Sequence, residues 1–263
     1  MATCFHHTDR ETGRSCTRCG RPACYECLHE APVGAHCFEC IRAARPPARQ
    51  RVRQWNASAG PLATKVLVGL NTLVFVLTSV SPSWQVRLAL WGPSVAAGEW
   101  YRLVTAGFVH YGLLHIAFNM LLLYRFGMIL EPALGRTRFV ALYLASLLAG
   151  SFGAILLSPH VLTAGASGAV FGMVGATAVG LRQRGVSVWQ SGVVGLLVIN
   201  LVLTFLVPGI SVGGHLGGLA GGATAGWLML QEAPTRRATV EGVVIATAIA
   251  GMSVAGALWA AGR

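Results

Sequence analysis

The chain has 263 residues, of which 54% are hydrophobic and 11% charged, with a formal net charge of +11. Soluble domains carry about 25% charged residues, and here the shortage is concentrated: after Asp9 there is no aspartate, and from residue 64 onward the only acids are Glu99, Glu131, Glu232 and Glu241. A stretch so poor in charge cannot present an ordinary wet surface, which excludes a soluble globular body and requires one that faces lipid.

The first 60 residues differ in kind. They hold all seven cysteines, half of the histidines and a run of arginines from Arg42 to Arg53. The opening is cysteine- and charge-rich rather than apolar, so no secretory signal is expected and this head should remain in the cytosol. Thiols stay reduced there, and clustered cysteines read as metal ligands rather than disulfides. They form four pairs, Cys4-x-x-His7, Cys16-x-x-Cys19, Cys24-x-x-Cys27 and Cys37-x-x-Cys40. Eight ligands suffice for two tetrahedral zinc ions, structural rather than catalytic because protein fills every position. His6 and His36 compete with His7, which is preferred; His29 reads as a surface residue. A head of about 40 residues is too small to fold on an apolar core alone, so metal would hold it together. The alternating pairs resemble B-box-type and related cross-braced zinc domains. That resemblance implies one ion on Cys4, His7, Cys24 and Cys27 and another on Cys16, Cys19, Cys37 and Cys40, with sequential pairing still open. A protein partner or regulator is the expected role. The arginine run reads as a linker near anionic lipid rather than a nucleic-acid site.

Seven apolar segments follow, near the 20 residues a membrane crossing needs: 62–80, 113–130, 138–157, 166–181, 189–207, 214–231 and 240–261. The loop at 81–112 contains Trp84, Trp91, Trp100 and Tyr101, rings suited to the membrane interface, and is read as partly embedded. Alternate connections carry Arg136 and Arg138, Arg182 and Arg184, then Arg236 and Arg237. By the positive-inside rule the N-terminus is cytoplasmic and, after seven crossings, the C-terminus outside. Arginine outnumbers lysine nineteen to one beside abundant alanine and glycine, a composition that points to a GC-rich bacterial genome.

Polar groups at membrane depth are costly and mark function. The second segment opens on His115 and Asn119, the fourth on Gly165-Ala166-Ser167-Gly168, the sixth on Gly213-Gly214-His215. In the orientation above all three start at the outer face, so the four polar groups share one level. A serine hydroxyl needs a base to become a nucleophile, and histidine suits that task. His115 and Asn119, four apart, share a helical face and can donate to an oxyanion, together with the Ser167 N–H at a helix start. No aspartate is available, so the expectation is a Ser167–His215 dyad. Gly218 and Gly222, with Gly168 and Gly172, would let the two helices approach closely.

Gly165-Ala166-Ser167-Gly168, His215 with Gly218 and Gly222, and His115-x-x-x-Asn119 together resemble the rhomboid intramembrane protease family over about residues 60–231. Glu99-Trp100-Tyr101-Arg102 is similar to that family's tryptophan–arginine motif, His110 to a histidine often found beside it, and Glu131-x-x-x-Gly135 to the inner end of its second span. The resemblance implies Ser167 and His215 as the dyad and His115 and Asn119 in the oxyanion hole. It also implies Phe171 where a tyrosine commonly packs on the histidine, a cap at 208–213 and lateral substrate entry near the fifth helix.

The expected whole is an all-α polytopic membrane protein, a rhomboid-like six-helix core plus one C-terminal transmembrane helix (6+1), preceded by a small zinc-binding domain. Its divisions are a zinc-binding head at 1–41, a basic linker at 42–61, the core at 62–231, and a loop with the seventh helix at 232–263. The expected function is intramembrane serine endopeptidase acting on single-span membrane protein substrates. The alternative is a non-catalytic binder of client helices on the same scaffold; a transporter is disfavoured because no inverted repeat and no acidic coupling site within a span is evident.

Overall fold

The computed structural model describes residues 2–31, 33–44, 60–231 and 235–263; most of the stretch read as a linker, 42–61, lies outside these. The chain divides into two compact units, Met1–Ser58 and Ala59–Arg263.

In the first unit, β1 (Ala2–Thr3) pairs antiparallel with β2 (Glu11–Thr12), and β3 (Leu28–Glu30) with β4 (Ala35–Cys37). β4 runs directly into α1 (Phe38–Ala44), which carries regular structure past the boundary expected at residue 41. Strands this short do not sustain themselves. The buried cluster beneath them is Cys4, Ala23, Cys24 and Cys27, so the cysteines themselves are the core.

The second unit begins with α2 (Leu62–Ser79) and three short helices, α3 (Pro82–Leu88), α4 (Gly92–Ala96) and α5 (Arg102–Thr105). Six more follow: α6 (Leu113–Leu134), α7 (Arg136–Leu157), α8 (Ser167–Gln183), α9 (Val193–Leu206), α10 (Val212–Met229) and α11 (Arg236–Ala261). Every expected span is a helix, and the six-plus-one layout is present. By length and composition α2, α6, α7 and α11 can each cross a membrane. α9 is shorter than its apolar run suggested. It starts at Val193 because Gly192 has φ 77°, outside helical space. Its 14 residues extend about 21 Å, less than the hydrocarbon thickness of about 30 Å.

α7 is the centre, with 61% of its apolar stretch buried against 22% for α2 and for α11. α10 lies between α7 and α8, and its glycines make both contacts. A side chain at Gly213 or Gly217 would run into the backbone of Gly153 or Ala149 on α7; one at Gly218, Gly222 or Gly226 would strike Gly168, Gly172 or Ala176 on α8. Lipid supplies no hydrophobic drive for helix pairing, so close van der Waals contact between small residues carries it.

Two of the buried charges fix the start of α2 and the loop that follows it. The Glu131 carboxylate accepts from the N–H groups of Ala63 (2.9 Å) and Thr64 (2.8 Å) and from the Thr64 hydroxyl (2.8 Å), capping the start of α2. Arg102 pairs with Glu99 and donates to the carbonyls of Val86 and Ala89, both at 2.7 Å. The loop 81–112 is thereby folded on itself, and Ser151 on α7 donates to Leu103 O at 2.7 Å to hold it in place.

Candidate active site and metal clusters

Three helix starts meet around one cavity of about 660 Å³, lined by His115, Asn119, Ser167, Phe171, Asn200 and His215 among others. Ser167 is the first residue of α8. The turn before it is pinned by Gly165 N–H to Ala106 O (2.9 Å) and by Ala166 N–H to the buried His110 Nε2 (3.4 Å). Gly165 has φ 129°, and a Cβ there would sit 2.7 Å from His115 Nε2 and 3.8 Å from Ser167 Oγ. The bare glycine backbone is therefore the floor between those two side chains, a position only glycine fills without strain. Asn119 lies one turn after His115 on α6, its Nδ2 donating to His115 O at 2.9 Å.

His215 stands in the first turn of α10, where the Ser211 hydroxyl accepts from Gly214 N–H at 3.0 Å as an N-cap. Its ring is buried at 7% exposure and stacks on Phe171, with centroids 4.0 Å apart and planes at 17°. Among the described residues no hydrogen bond joins Ser167 and His215 directly. The ring is held instead by Phe171 on its face and by Thr204 on α9, whose Oγ1 lies 2.7 Å from Nδ1. Sequence reasoning missed Thr204. Its signal was available: Asn200 and Thr204 are polar residues four apart on an otherwise apolar helix, which places them on one face.

In the head, the ligand atoms of Cys4, His7, Cys24 and Cys27 converge within 4.8 Å, and so do those of Cys16, Cys19, Cys37 and Cys40. The clusters interleave along the chain rather than pairing sequentially. None of the seven cysteines is in a disulfide. His7 Nδ1 lies 3.3 Å from Cys24 Sγ and 3.4 Å from Cys27 Sγ, and Cys19 and Cys37 sulfurs are 3.8 Å apart. Tetrahedral zinc with Zn–S of about 2.3 Å places its sulfurs about 3.8 Å apart, so the donor sets fit metal. The hydrogen bond from His7 holds the Cys24 thiol below its ordinary pKa, toward the thiolate that ligates. His6 lies against Phe5, ring centroids 4.3 Å apart, and His36 pairs with His29 across β3 and β4.

A bundle of long apolar helices around a largely apolar chamber, with a few polar side chains gathered at the starts of three of them, defines a multi-pass helical membrane protein. The Rhomboid domain model matches residues 97–232, and the chain belongs to the rhomboid family. It is 35% identical over 171 residues to Rhomboid protease GluP of Bacillus subtilis (strain 168), covering 62% of this chain and 34% of GluP. It is 31% identical over 157 residues to YdcA of the same organism, covering 58% of this chain and 79% of YdcA. With RHOMBOID-like protein 6, mitochondrial, of Arabidopsis thaliana it shares 32% identity over 148 residues, 54% of this chain and 48% of that protein. The chain thus spans about a third of GluP's length.

Proposed function

We propose that this protein is an intramembrane serine endopeptidase that hydrolyses peptide bonds in or near the single transmembrane span of other proteins. The observation that carries the reading is the meeting of Ser167, His215, His115 and Asn119 on one cavity inside an apolar helix bundle. Ser167 Oγ attacks the scissile carbonyl carbon while His215 takes its proton. The resulting oxyanion receives hydrogen bonds from Asn119 Nδ2, His115 and the Ser167 N–H at the positive end of α8. Collapse breaks the C–N bond, His215 returns the proton to the leaving amine, and an acyl-Ser167 ester remains. Water, deprotonated by the same imidazole, releases it.

Arginine bias supports a cytoplasmic N-terminus, an outer C-terminus and cleavage toward the outer leaflet. The two interleaved clusters support two structural zinc ions in a head at 1–41, joined by a basic linker at 42–61 to the core at 62–231, with the loop and seventh helix at 232–263. Substitution Ser167→Ala should abolish cleavage of a single-span substrate in proteoliposomes, and unchanged turnover would end the proposal. Fluorophosphonate labelling at Ser167 separates the enzyme from a client-binding relative, which would not react.

A further inference from the structure

We infer that Thr204 is a positioning residue, whose hydroxyl holds His215 in the tautomer that carries hydrogen on Nδ1 and so leaves Nε2 as the proton acceptor. The inference rests on the dyad proposed above. It follows from counting hydrogens. A threonine hydroxyl has one to give, and Thr204 gives it to Asn200 O at 2.6 Å. Its 2.7 Å contact with His215 Nδ1 must therefore run the other way, with Nδ1–H donating to Oγ1. A neutral imidazole has a single N–H, so Nε2 keeps its lone pair.

Placement supports the assignment. Only Val193 and Thr204 are buried on α9, while Phe205 and Leu206 beside Thr204 are 64% and 72% exposed. Stacking on Phe171 sets the plane of the imidazole; the bond to Thr204 sets its rotation within that plane. In soluble serine enzymes a buried aspartate does this second task. Here no aspartate follows Asp9, and a hydroxyl bonded back to its own helix orients the ring without placing a charge at membrane depth. Because Thr204 belongs to α9 and His215 to α10, the base is correctly aimed only while α9 stays seated.

The test uses the full chain in proteoliposomes with a single-span substrate, comparing wild type, Thr204→Val, Thr204→Ala and Thr204→Ser, with Ser167→Ala and His215→Ala alongside. General-base catalysis contributes about 10²- to 10⁴-fold, and losing its aim should remove part of that. Valine and alanine should each lower kcat by about 10- to 100-fold with KM within about twofold, while serine recovers turnover to within about threefold of wild type. Equal impairment of the serine and valine variants would overturn the inference, because packing rather than the hydroxyl would then be responsible. So would wild-type kcat in Thr204→Val. Turnover surviving in Ser167→Ala or His215→Ala would instead remove the dyad. Should valine and alanine abolish folding, imidazole ¹⁵N shifts of the wild-type chain decide, with His215 identified by the resonance missing in His215→Ala. Hydrogen on Nδ1 supports the inference, and hydrogen on Nε2 refutes it.

Discussion

Asn119 Nδ2 carries two hydrogens, and the bond to His115 O uses one of them. That bond fixes the amide and leaves the second hydrogen for an oxyanion in the cavity it lines. Removing one such donor typically costs about 10²–10³ in kcat, so Asn119→Ala should retain measurable turnover where Ser167→Ala has none. A kcat within about twofold of wild type would take Asn119 out of the mechanism. Gly165→Ala should be more damaging than its single methyl suggests, since the new carbon meets His115 Nε2 at 2.7 Å and φ 129° disfavours any side chain. Its readout is the rate of fluorophosphonate labelling, which should fall at least about tenfold. The candidate set Ser167, His215, His115 and Asn119 could be picked out in the sequence because each interrupts an apolar run within the first two turns of a helix. Thr204 escaped because its importance lies in facing His215 across two helices, a contact that hydropathy along one helix does not encode.

Helices in this fold are held by what they lack. Gly222 meets the Gly172 backbone, whereas Gly251, also within a helix, has open space around its missing Cβ. The same added methyl should therefore act oppositely at the two positions. Gly222→Ala must separate α8 from α10 at a cost of about 1–3 kcal/mol, and it should depress turnover because those helices carry Ser167 and His215. Gly251→Ala should leave both unchanged or gain up to about 1 kcal/mol of helix propensity. Thermal unfolding in detergent with parallel turnover measures the contrast, and equal effects would refute the close-packed seam. At the N-terminal end of α2, Glu131→Ala strands two backbone donors and a hydroxyl, and should cost about 1–3 kcal/mol in the same assay. The spans were readable since about 20 apolar residues admit few alternatives. Gly192 was harder to read. One glycine in an apolar run is ambiguous until its φ is known, and the true start of α9 follows from that angle. The short helices of loop 81–112 carry too few turns for periodicity to register; they exist through Arg102 and the carbonyls it gathers.

For the whole molecule, the decisive contrast is between two kinds of core. The membrane unit packs aliphatic and aromatic side chains, with Phe139, Leu142 and Tyr143 fully buried among them. The head buries cysteines around a single alanine. The pairs of the head were legible because two intervening residues is a ligand spacing. Spacing alone left sequential pairing open; the resemblance to cross-braced zinc domains implied the interleaved sets, and the folded hairpins bring Cys4 to Cys24 and Cys16 to Cys37 accordingly. A fold whose interior is its ligand set depends on metal binding for its folding free energy, whereas a core of packed apolar side chains does not. Extracting metal with a strong chelator should therefore unfold one unit and spare the other. Arg14, Arg18 and Arg21 in the head should become open to trypsin, zinc analysis should fall from two ions per chain toward none, and fluorophosphonate labelling of Ser167 should proceed at its original rate. Cys24→Ser should give the intermediate case, losing one ion and leaving Cys16, Cys19, Cys37 and Cys40 able to keep the other. If labelling instead declined in step with zinc, the membrane unit would owe its active geometry to the head, and the separation of the two cores would not describe how this protein is stabilised.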